Sequence, residues 1–227
     1  TKTTPVDLGF IVFNELTYPN LLNFFKELEV PFEKSDMSFS VSIQDSNIEY
    51  GGRGLKALFA NKLNVFNLDF LKMIKEIISF YKSAPFLLKK NLDKETLGSY
   101  LDKSNFSKQL IEYHIIPMVA AIWSMPFEKA RDMPLKFFLN FFINHGLFKL
   151  KNRPQWYTVA KRSKTYVDKI LNHISGEHFK NYPINKIERN SRGIKIFYGA
   201  ENEFFNYDKV VIATHADDAL KLIEKPT

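Results

Sequence analysis

Two short and almost continuously apolar runs lie near opposite ends of this 227-residue sequence, at Val6–Phe13 and Val210–Ala213. Runs of this kind are typical of strands with both faces covered, as in a parallel sheet. No further run between them is predicted to be a buried strand. We therefore expect the two runs to lie in or beside one sheet that lacks its other members, as if a first βαβ unit preceded Thr1.

The apolar spacing between these runs is mostly that of helices. Thr17 is a candidate cap for a first helix, in which Pro19 suits the first turn. Asn67 is a candidate cap for a second helix, and Gly146 is a candidate terminator for a later one. Pro117 should end or kink the helix that contains it. The predicted helices after the first cover residues 68–81, 108–124, 134–146 and 163–175.

Period-two alternation of apolar and polar residues predicts the β structure. Residues 36–50 read as a hairpin with a turn at Asp45-Ser46-Asn47. Three further short strands are expected near the C-terminal end, followed by a helix at 217–224. Their ranges are 184–188, 194–198 and 203–206. The fold class is therefore α+β, with antiparallel strands and a short remnant of a parallel-type sheet.

The composition excludes several classes of site. There is no cysteine, which removes disulfides, cysteine-ligated metals and cysteine nucleophiles. The five histidines lack metal-binding spacing, so no metal site is predicted. The net charge of +7 comes from scattered lysines without an arginine-aromatic cluster, and no nucleic-acid partner is expected. No apolar run reaches the roughly 18 residues that a membrane-spanning helix needs.

The segment Gly52–Ala57 matches the pattern G-x-G-x-x-A, which in a βαβ unit would bind a dinucleotide phosphate. The strand before it is short and contains Glu49, and no second strand with a terminal acid follows about 20 residues later. A plain turn that leads into a helix is the preferred interpretation.

Aromatic side chains are the strongest candidates for a substrate site. Taken singly, each is more simply explained as core packing. The four candidates are Tyr18, Trp123, His145 and Trp156. We expect Trp123, His145 and Trp156 to converge on one apolar pocket that opens toward Gly9 and Phe10, because large aromatics form dry, flat walls.

Several segments, in order along the chain, resemble the bacterial predicted NAD/FAD-binding proteins related to flavin-containing amine oxidases. This superfamily includes monoamine oxidase, protoporphyrinogen oxidase and phytoene desaturase. In such proteins a GxGxxG unit and a GG-containing segment come first and bind FAD, and both would precede this chain. The family tends to have two glycines where this sequence has Lys161 and Arg162. The segments are VDLGFIVFNELTYPN, MSFSV, PMVAAIWS, NHGLF, QWYTV and DKVVIATHADDAL.

The resemblance implies FAD as cofactor and assigns residues to it. Asp7, Gly9 and Phe10, with the intervening Leu8, follow the flavin-contacting segment. Ile187 matches a strand whose backbone meets the adenine. Three residues match the strand end that returns to the FAD diphosphate, namely Ala213, Thr214 and His215. Residues 1–15 and 176–227 would then be a remnant of the FAD-binding domain, and 16–175 a mostly helical substrate-binding domain.

The implied function is hydride transfer from a C–H bond of an amine or a fatty-acyl-like substrate to flavin. We expect a cytoplasmic location, which allows peripheral contact with the inner membrane. The alternative is a non-catalytic helical module that binds lipid or a partner protein. The segment at residues 70–92 favours that alternative, because its lysines flank an apolar face. A core-facing helix is the preferred interpretation of the same segment.

Overall fold

The computed structural model of the chain describes residues 4, 6–43, 46–200, 203–224 and 226. The fold is α+β, as predicted, and divides into two compact units, Thr1–His173 and Ile174–Thr227. Among the described residues, no helix combines the length and the apolar character needed to cross a bilayer.

The first unit contains nine helices within the described residues. They are α1 (Pro19–Glu27), α2 (Gly54–Leu58), α3 (Leu68–Leu87), α4 (Leu97–Lys103), α5 (Lys108–Leu110), α6 (Ile116–Trp123), α7 (Phe127–Arg131), α8 (Leu135–Asn144) and α9 (Lys164–His173). A 3₁₀ turn over Lys62–Phe66 precedes α3. The predicted helices at 68–81, 134–146 and 163–175 are confirmed with shifted ends, as local signals leave helix ends uncertain by a few residues.

Five short strands complete the first unit, and they form two sheets. The strands are β1 (Phe13–Asn14), β2 (Phe32–Ser35), β3 (Ser40–Ile43), β4 (Ile48–Gly51) and β5 (Trp156–Val159). β5 lies between β1 and β2 and pairs antiparallel with both, while β3 and β4 form the predicted hairpin. Residues 44 and 45, which include part of the predicted hairpin turn, lie outside the described residues. The sheet β1-β5-β2 was missed, because β1 has only two residues and β2 (FEKS) and β5 (WYTV) do not alternate between apolar and polar residues.

The main core of the first unit lies between the hairpin and helices α3, α6 and α8. Phe70 and Phe80 of α3 are fully buried there with Phe138 and Phe142 of α8. Asn67 caps α3 as predicted, because its side chain accepts a hydrogen bond from the backbone N–H of Phe70 at 3.1 Å. The α3 helix therefore turns its apolar face into the core, which confirms the core-facing interpretation of this helix.

A smaller core lies beside the sheet β1-β5-β2. It consists of four buried side chains, Phe13, Phe25, Val30 and Val159, with Phe10 and Tyr18 among the half-buried residues against it. Of the predicted substrate residues, Trp123 packs against the main core and Tyr18 packs against the smaller one.

The helical segment around Pro117 was predicted either to end or to kink at the proline. The helix does not end there, because α5, a π turn over Ile111–Ile115 and α6 follow one another without a break. Proline has no backbone N–H to donate and its ring crowds the preceding turn. The wider π turn lies directly before it, which is a usual position for an irregularity of this kind.

The second unit is a three-stranded antiparallel sheet with one short helix. Its strands are β6 (Ile184–Asn190), β7 (Gly193–Tyr198) and β8 (Glu203–Tyr207), and the helix is α10 (Ala216–Leu222). Gly193 follows the turn between β6 and β7 with a φ of 130°, and a Cβ there would lie 2.9 Å from the carbonyl oxygen of Tyr207. This unit confirms the predicted strands and the helix after them. Residues 201 and 202 in the predicted turn before β8 lie outside the described residues.

The prediction that Val6–Phe13 and Val210–Ala213 are buried strands of one sheet is wrong. Only Phe13 belongs to a strand, and residues 6–12 and 208–213 have no regular structure. Leu8 is 98% exposed and Val211 is 91% exposed. An apolar run is buried as a strand only where other strands flank it. Within the described residues of each unit, no strand pairs with residues 6–12 or 208–213.

The G-x-G-x-x-A segment forms a plain turn into a helix, as preferred. The strand before it, β4, pairs antiparallel with β3, and the helix after it, α2, has only five residues. Both features differ from the parallel βαβ unit that a dinucleotide site requires.

Candidate functional site

The four predicted substrate residues lie along one continuous row of rings in the first unit. Trp123 contacts Phe141 at 4.6 Å between ring centroids, and Phe141 stacks on His145 at 4.0 Å. His145 lies 6.0 Å from Tyr18, which lies 6.4 Å from Trp156. We call these five residues the aromatic row. Phe141 was not among the predicted site residues, although it lies within the helix predicted at 134–146.

His145 is placed by the end of helix α8. It is the C-cap residue, and Gly146 follows with a φ of 65°, so the backbone N–H of Leu147 reaches the carbonyl of Phe142 at 2.8 Å. This is the glycine-terminated helix end that the sequence predicts. The ring atom Nδ1 lies 2.9 Å from the carbonyl oxygen of Phe141. A carbonyl only accepts, so Nδ1 carries the proton and the half-buried ring keeps Nε2 as an acceptor.

Tyr18 lies at the start of helix α1 and is placed by Asn14. The side-chain oxygen of Asn14 accepts hydrogen bonds from the backbone N–H groups of Leu16 and Thr17, at 3.0 and 2.9 Å, and from the Thr17 hydroxyl. The prediction that Thr17 caps α1 is wrong, because its hydroxyl is used in this turn and Tyr18 is the N-cap residue. Partial burial raises the pKa of the Tyr18 hydroxyl, which therefore stays protonated near neutral pH.

Asn14, which was not among the residues predicted from the sequence, lies beside the row. Its side chain is fully buried, and its Nδ2 atom has no hydrogen-bond partner among the described residues. Asn14 pairs with Trp156 across strands β1 and β5, so this free donor belongs to a residue next to the aromatic row. A buried amide donor without a partner is costly and calls for an explanation. No local sequence signal marks it, since Asn14 is a single polar residue after an apolar run.

The tryptophans form the two ends of the row. Trp156 is 8% exposed in the central strand β5, where it pairs with Asn14 on one side and Ser35 on the other. Trp123 is half-buried at the end of α6, which stops at Ser124 with a left-handed φ of 51°. Strand pairing fixes one end of the row and helix packing fixes the other.

Two surface depressions lie elsewhere in the first unit. One, of about 330 Å³, is lined by residues at the ends of α1 and α9, and the other, of about 410 Å³, is lined by residues of α4 and α7 and their caps. Neither is lined by a residue of the aromatic row. The single apolar pocket that opens toward Gly9 and Phe10 stays a prediction.

The residues predicted to contact the cofactor fall into both units. In the first unit, the side chain of Asp7 accepts a hydrogen bond from the backbone N–H of Ser163 at 3.1 Å. The Ser163 hydroxyl donates to the carbonyl of Phe10 at 3.4 Å. A Cβ added at Gly9 would meet no atom within 4 Å. The segment Asp7–Phe10 is thus tethered at both ends while Gly9 between them stays open.

The tether rests on an unusual turn. Lys161 and Arg162 have φ values of 62° and 75°, in the left-handed region that favours glycine. These are the two positions at which the resembled family tends to have glycine. A non-glycine residue with backbone angles in the left-handed region lowers the stability of the fold by on the order of 1 kcal/mol. The backbone shape of that turn is therefore present here without the glycines.

In the second unit, Ile187 is 8% exposed, and its carbonyl oxygen accepts from the backbone N–H of Glu224 at 3.1 Å. Ala213, Thr214 and His215 are exposed and precede the seven-residue helix α10. Within the part of the chain that the structure describes, their side chains make no hydrogen bond beyond one of 3.4 Å from the Thr214 hydroxyl to the next carbonyl. Their contact with a cofactor stays a prediction.

A second histidine, His114, lies in a buried network that the sequence analysis did not identify. Its Nδ1 lies 2.9 Å from the Tyr50 hydroxyl and its Nε2 lies 2.9 Å from the Tyr81 hydroxyl. The Tyr50 hydroxyl donates to the carbonyl of Tyr113 at 2.7 Å. Tyr50 has one proton to donate, so Nδ1–H must donate to Tyr50 and Nε2 must accept from Tyr81. When His114 is neutral, both of its ring nitrogens and the hydroxyls of Tyr50 and Tyr81 therefore have hydrogen-bond partners.

Burial holds this network in its neutral state. It lowers the pKa of His114 from its ordinary 6.5 to about 4, with a further lowering by the positive charge of Arg153. Burial also raises the pKa of Tyr81 to about 12 and raises the pKa of Tyr50. Within residues 6–43, 46–200 and 203–224, no three histidine or acidic side chains lie close enough together to hold a metal ion.

Comparisons with known proteins bear on the fold. No protein-family model and no curated protein matches the sequence. The structure is similar to a solved putrescine oxidase variant, from a structure-based redesign of its cofactor binding, with a TM-score of 0.58 and 13% identity. The match covers 85% of this chain and 44% of that chain, so this chain spans less than half the length of the solved protein. The chain therefore has an amine-oxidase-like fold.

Proposed function

We propose that this chain is the substrate-side part of a FAD-dependent oxidoreductase that acts on an amine or a fatty-acyl-like substrate. The observation that carries the proposal is the aromatic row, which joins Tyr18, Trp123, His145 and Trp156 on an amine-oxidase-like fold. FAD, when bound, would accept a hydride from a C–H bond of the substrate. The chain's own residues would bind and orient that substrate and keep water away from it.

The row is suited to an alkyl chain with one polar group. Its ring faces offer flat apolar walls at a low cost in side-chain entropy. The hydroxyl of Tyr18 and Nε2 of His145 have no protein partner among the described residues. One can donate and the other can accept, so together they would orient a neutral amine or an acyl oxygen.

Asn14 would add a third polar contact. Its Nδ2 donor is buried without a partner, and its oxygen already holds the turn before Tyr18. A substrate or cofactor oxygen next to Trp156 would satisfy this donor and remove the cost of leaving it unpaired. Asn14 would thus both position Tyr18 and bind.

The predicted cofactor segment of the first unit fits a contact with FAD. Gly9 has open space beside it, and the backbone N–H groups of Leu8, Gly9 and Phe10 donate to no acceptor within the described residues. Free backbone donors are the groups that bind anionic or carbonyl oxygens of a cofactor. Asp7 and Phe10 would hold this segment in place through Ser163.

The test uses the full-length protein that contains this chain. We expect it to purify with a flavin absorbance spectrum, and we expect these 227 residues alone not to retain FAD through purification. The diphosphate-binding glycines and helix N-terminus that hold FAD are not among the motifs of this sequence. Flavin-free full-length protein, or stoichiometric FAD on the 227 residues, would contradict the proposal.

A variant separates the substrate role of the row from a structural one. Trp156→Ala in the full-length protein should keep its flavin but should be reduced more slowly by an amine or a fatty-acyl substrate. Phe197→Ala in the second unit serves as the control for loss of an aromatic ring outside the row. Equal reduction rates in Trp156→Ala and the parent protein would place the substrate elsewhere.

A further inference from the structure

We propose that the first unit docks onto an anionic lipid bilayer through the 3₁₀ turn Lys62–Phe66 and the first two turns of α3. This inference goes beyond the proposed function and does not depend on it. Five apolar residues form the surface, which we call the docking patch: Leu63, Val65, Phe66, Leu68 and Leu71. Three lysines accompany it, which are Lys62, Lys72 and Lys75.

The docking patch is unusually exposed for its composition. Phe66 is 84% exposed, Leu68 is 80% and Leu63 is 74%. Single exposed apolar residues are normal on a protein surface, but several large ones within six positions are not. A cluster of exposed apolar side chains of this size indicates a surface that an apolar environment covers.

Helical geometry places these residues together. In a 3₁₀ helix, residues three apart share a face, so Leu63 and Phe66 lie one above the other. In α3, the solvent face of the first two turns begins with Leu68 and Leu71 and continues with Lys72 and Lys75, at the spacing i, i+3, i+4 and i+7. Apolar side chains therefore lie at the tip of this surface and lysines lie directly behind them.

Hydrogen bonds hold the tip in shape. The side chain of Asn61 accepts from the N–H of Leu63 at 3.0 Å and donates to the carbonyl of Asn47 at 2.9 Å. Asn67 caps α3, and Asn64 is 3% exposed on the inner side of the turn. The apolar side chains are thus presented by a turn anchored at both ends, which lowers the ordering cost of inserting them.

The charges around the docking patch favour an anionic lipid bilayer as its binding partner. Between residues 62 and 75 there are three lysines and one acidic residue, Asp69. Within the described part of the chain, none of the three lysines forms an ion pair. Apolar residues that enter the acyl boundary, with lysines at the level of the headgroups, match the pattern of interfacial segments on anionic lipid.

The surface differs from the apolar face of residues 70–92, on which the lipid-binding alternative rested. The apolar face of α3 lies in the core, where Phe70, Met73 and Phe80 are fully buried, so it is not available to lipid. Exposed residues also lie at the other end of α3: Phe86 in its last turn and Lys89 and Lys90 in the turn that follows the helix. With one apolar side chain instead of five, that end is a control for surface lysines and an exposed ring outside the docking patch.

The experiment is cosedimentation of the full chain with vesicles of phosphatidylglycerol and phosphatidylcholine, and with vesicles of phosphatidylcholine alone. We expect binding to the anionic vesicles only, weakened by added salt. Leu63→Ser combined with Phe66→Ser should reduce binding roughly tenfold or more, because each side chain loses its transfer into the acyl region. Lys72→Glu combined with Lys75→Glu should reduce it by a similar factor on anionic vesicles.

The controls are Phe86→Ser and the pair Lys89→Glu and Lys90→Glu, which should leave vesicle binding unchanged. Circular dichroism on every variant verifies that the fold is retained. No binding by the parent chain, or a loss caused by the control variants instead, would overturn the proposal. Gel filtration adds a further outcome: a dimer that Phe66→Ser dissociates would show that a second copy covers the patch, and the proposal would then be wrong.

Discussion

His145 and His114 lie in two regions of the first unit that use the same kinds of side chain in opposite ways. His114 is 6% exposed, and both of its ring nitrogens are paired with tyrosine hydroxyls. His145 is half-buried, pairs one nitrogen with the carbonyl of Phe141 and keeps the other available beside Tyr18. One region is a closed network and the other is an open one.

The difference shows how burial decides the role of a polar group. In the closed network every donor has an acceptor, so its hydrogen bonds contribute to stability and specify one arrangement of the core. In the open region, Nε2 of His145 and the hydroxyl of Tyr18 contribute little to the fold, and Asn14 carries a buried donor without a partner. Groups of this second kind are the ones that a ligand can satisfy.

The largest expected effect separates the two histidines by stability. His114→Ala should lower the free energy of unfolding by about 4 kcal/mol, because it leaves a buried cavity and an unpaired Tyr81 hydroxyl. His145→Ala, at a half-buried position, should lower it by less than about 1 kcal/mol. Urea denaturation of the two variants measures both values. Equal losses would mean that the regions do not differ as described.

Acid should destabilise the closed network. The pKa of His114 is lowered from 6.5 to about 4 in the folded chain, so between these pH values the unfolded chain binds a proton that the folded chain does not. The stability associated with neutral His114 is fully present above pH 6.5 and is lost toward pH 4, at about 1.4 kcal/mol per pH unit. His114→Phe should flatten this part of the profile, measured by urea denaturation across that range. An unchanged slope in the variant would assign the acid sensitivity to other groups.

The direction of the hydrogen-bond chain can be tested with its two tyrosines. Tyr50→Phe removes the acceptor of Nδ1–H and the donor to the Tyr113 carbonyl, so it should cost about 2 kcal/mol. Tyr81→Phe leaves only Nε2 of His114 without a partner and should cost about 1 kcal/mol. Thermal or urea unfolding of both variants gives the order. A larger loss of stability for Tyr81→Phe would indicate the other tautomer of His114, in which Nε2 carries the proton.

The variant with the smallest expected effect on folding, His145→Ala, is the one that tests the proposed function most directly. In the full-length protein, His145→Ala should slow flavin reduction by substrate roughly tenfold, the equivalent of one hydrogen bond, while flavin stays bound. Stopped-flow absorbance measures this step. His114→Gln, which keeps the core filled, serves as the comparison and should be less impaired in this rate than His145→Ala. The opposite order would move the substrate contact to the closed network.

Local signals in the sequence determined a large part of the secondary structure. The Asn67 cap, the Gly146 terminator and the strands at 184–207 were predicted, because each depends on residues within one or two turns of chain. The same signals were wrong for Val6–Phe13 and Val210–Ala213. An apolar run shows that a segment can be buried, but burial itself depends on which strands lie beside it.

Only the tertiary structure decided how the site is assembled. Tyr18, His145 and Trp156 come from a loop before α1, the end of α8 and the strand β5, and no periodicity relates positions so far apart. Residue type alone made them candidates, while packing between the two cores joined them into one row. The same packing buried His114 between Tyr50 and Tyr81 and left one ring nitrogen of His145 available, although both residues are histidines. Burial and the distance to a partner, which arise only when the chain folds, set the hydrogen bonds and the role of each ring.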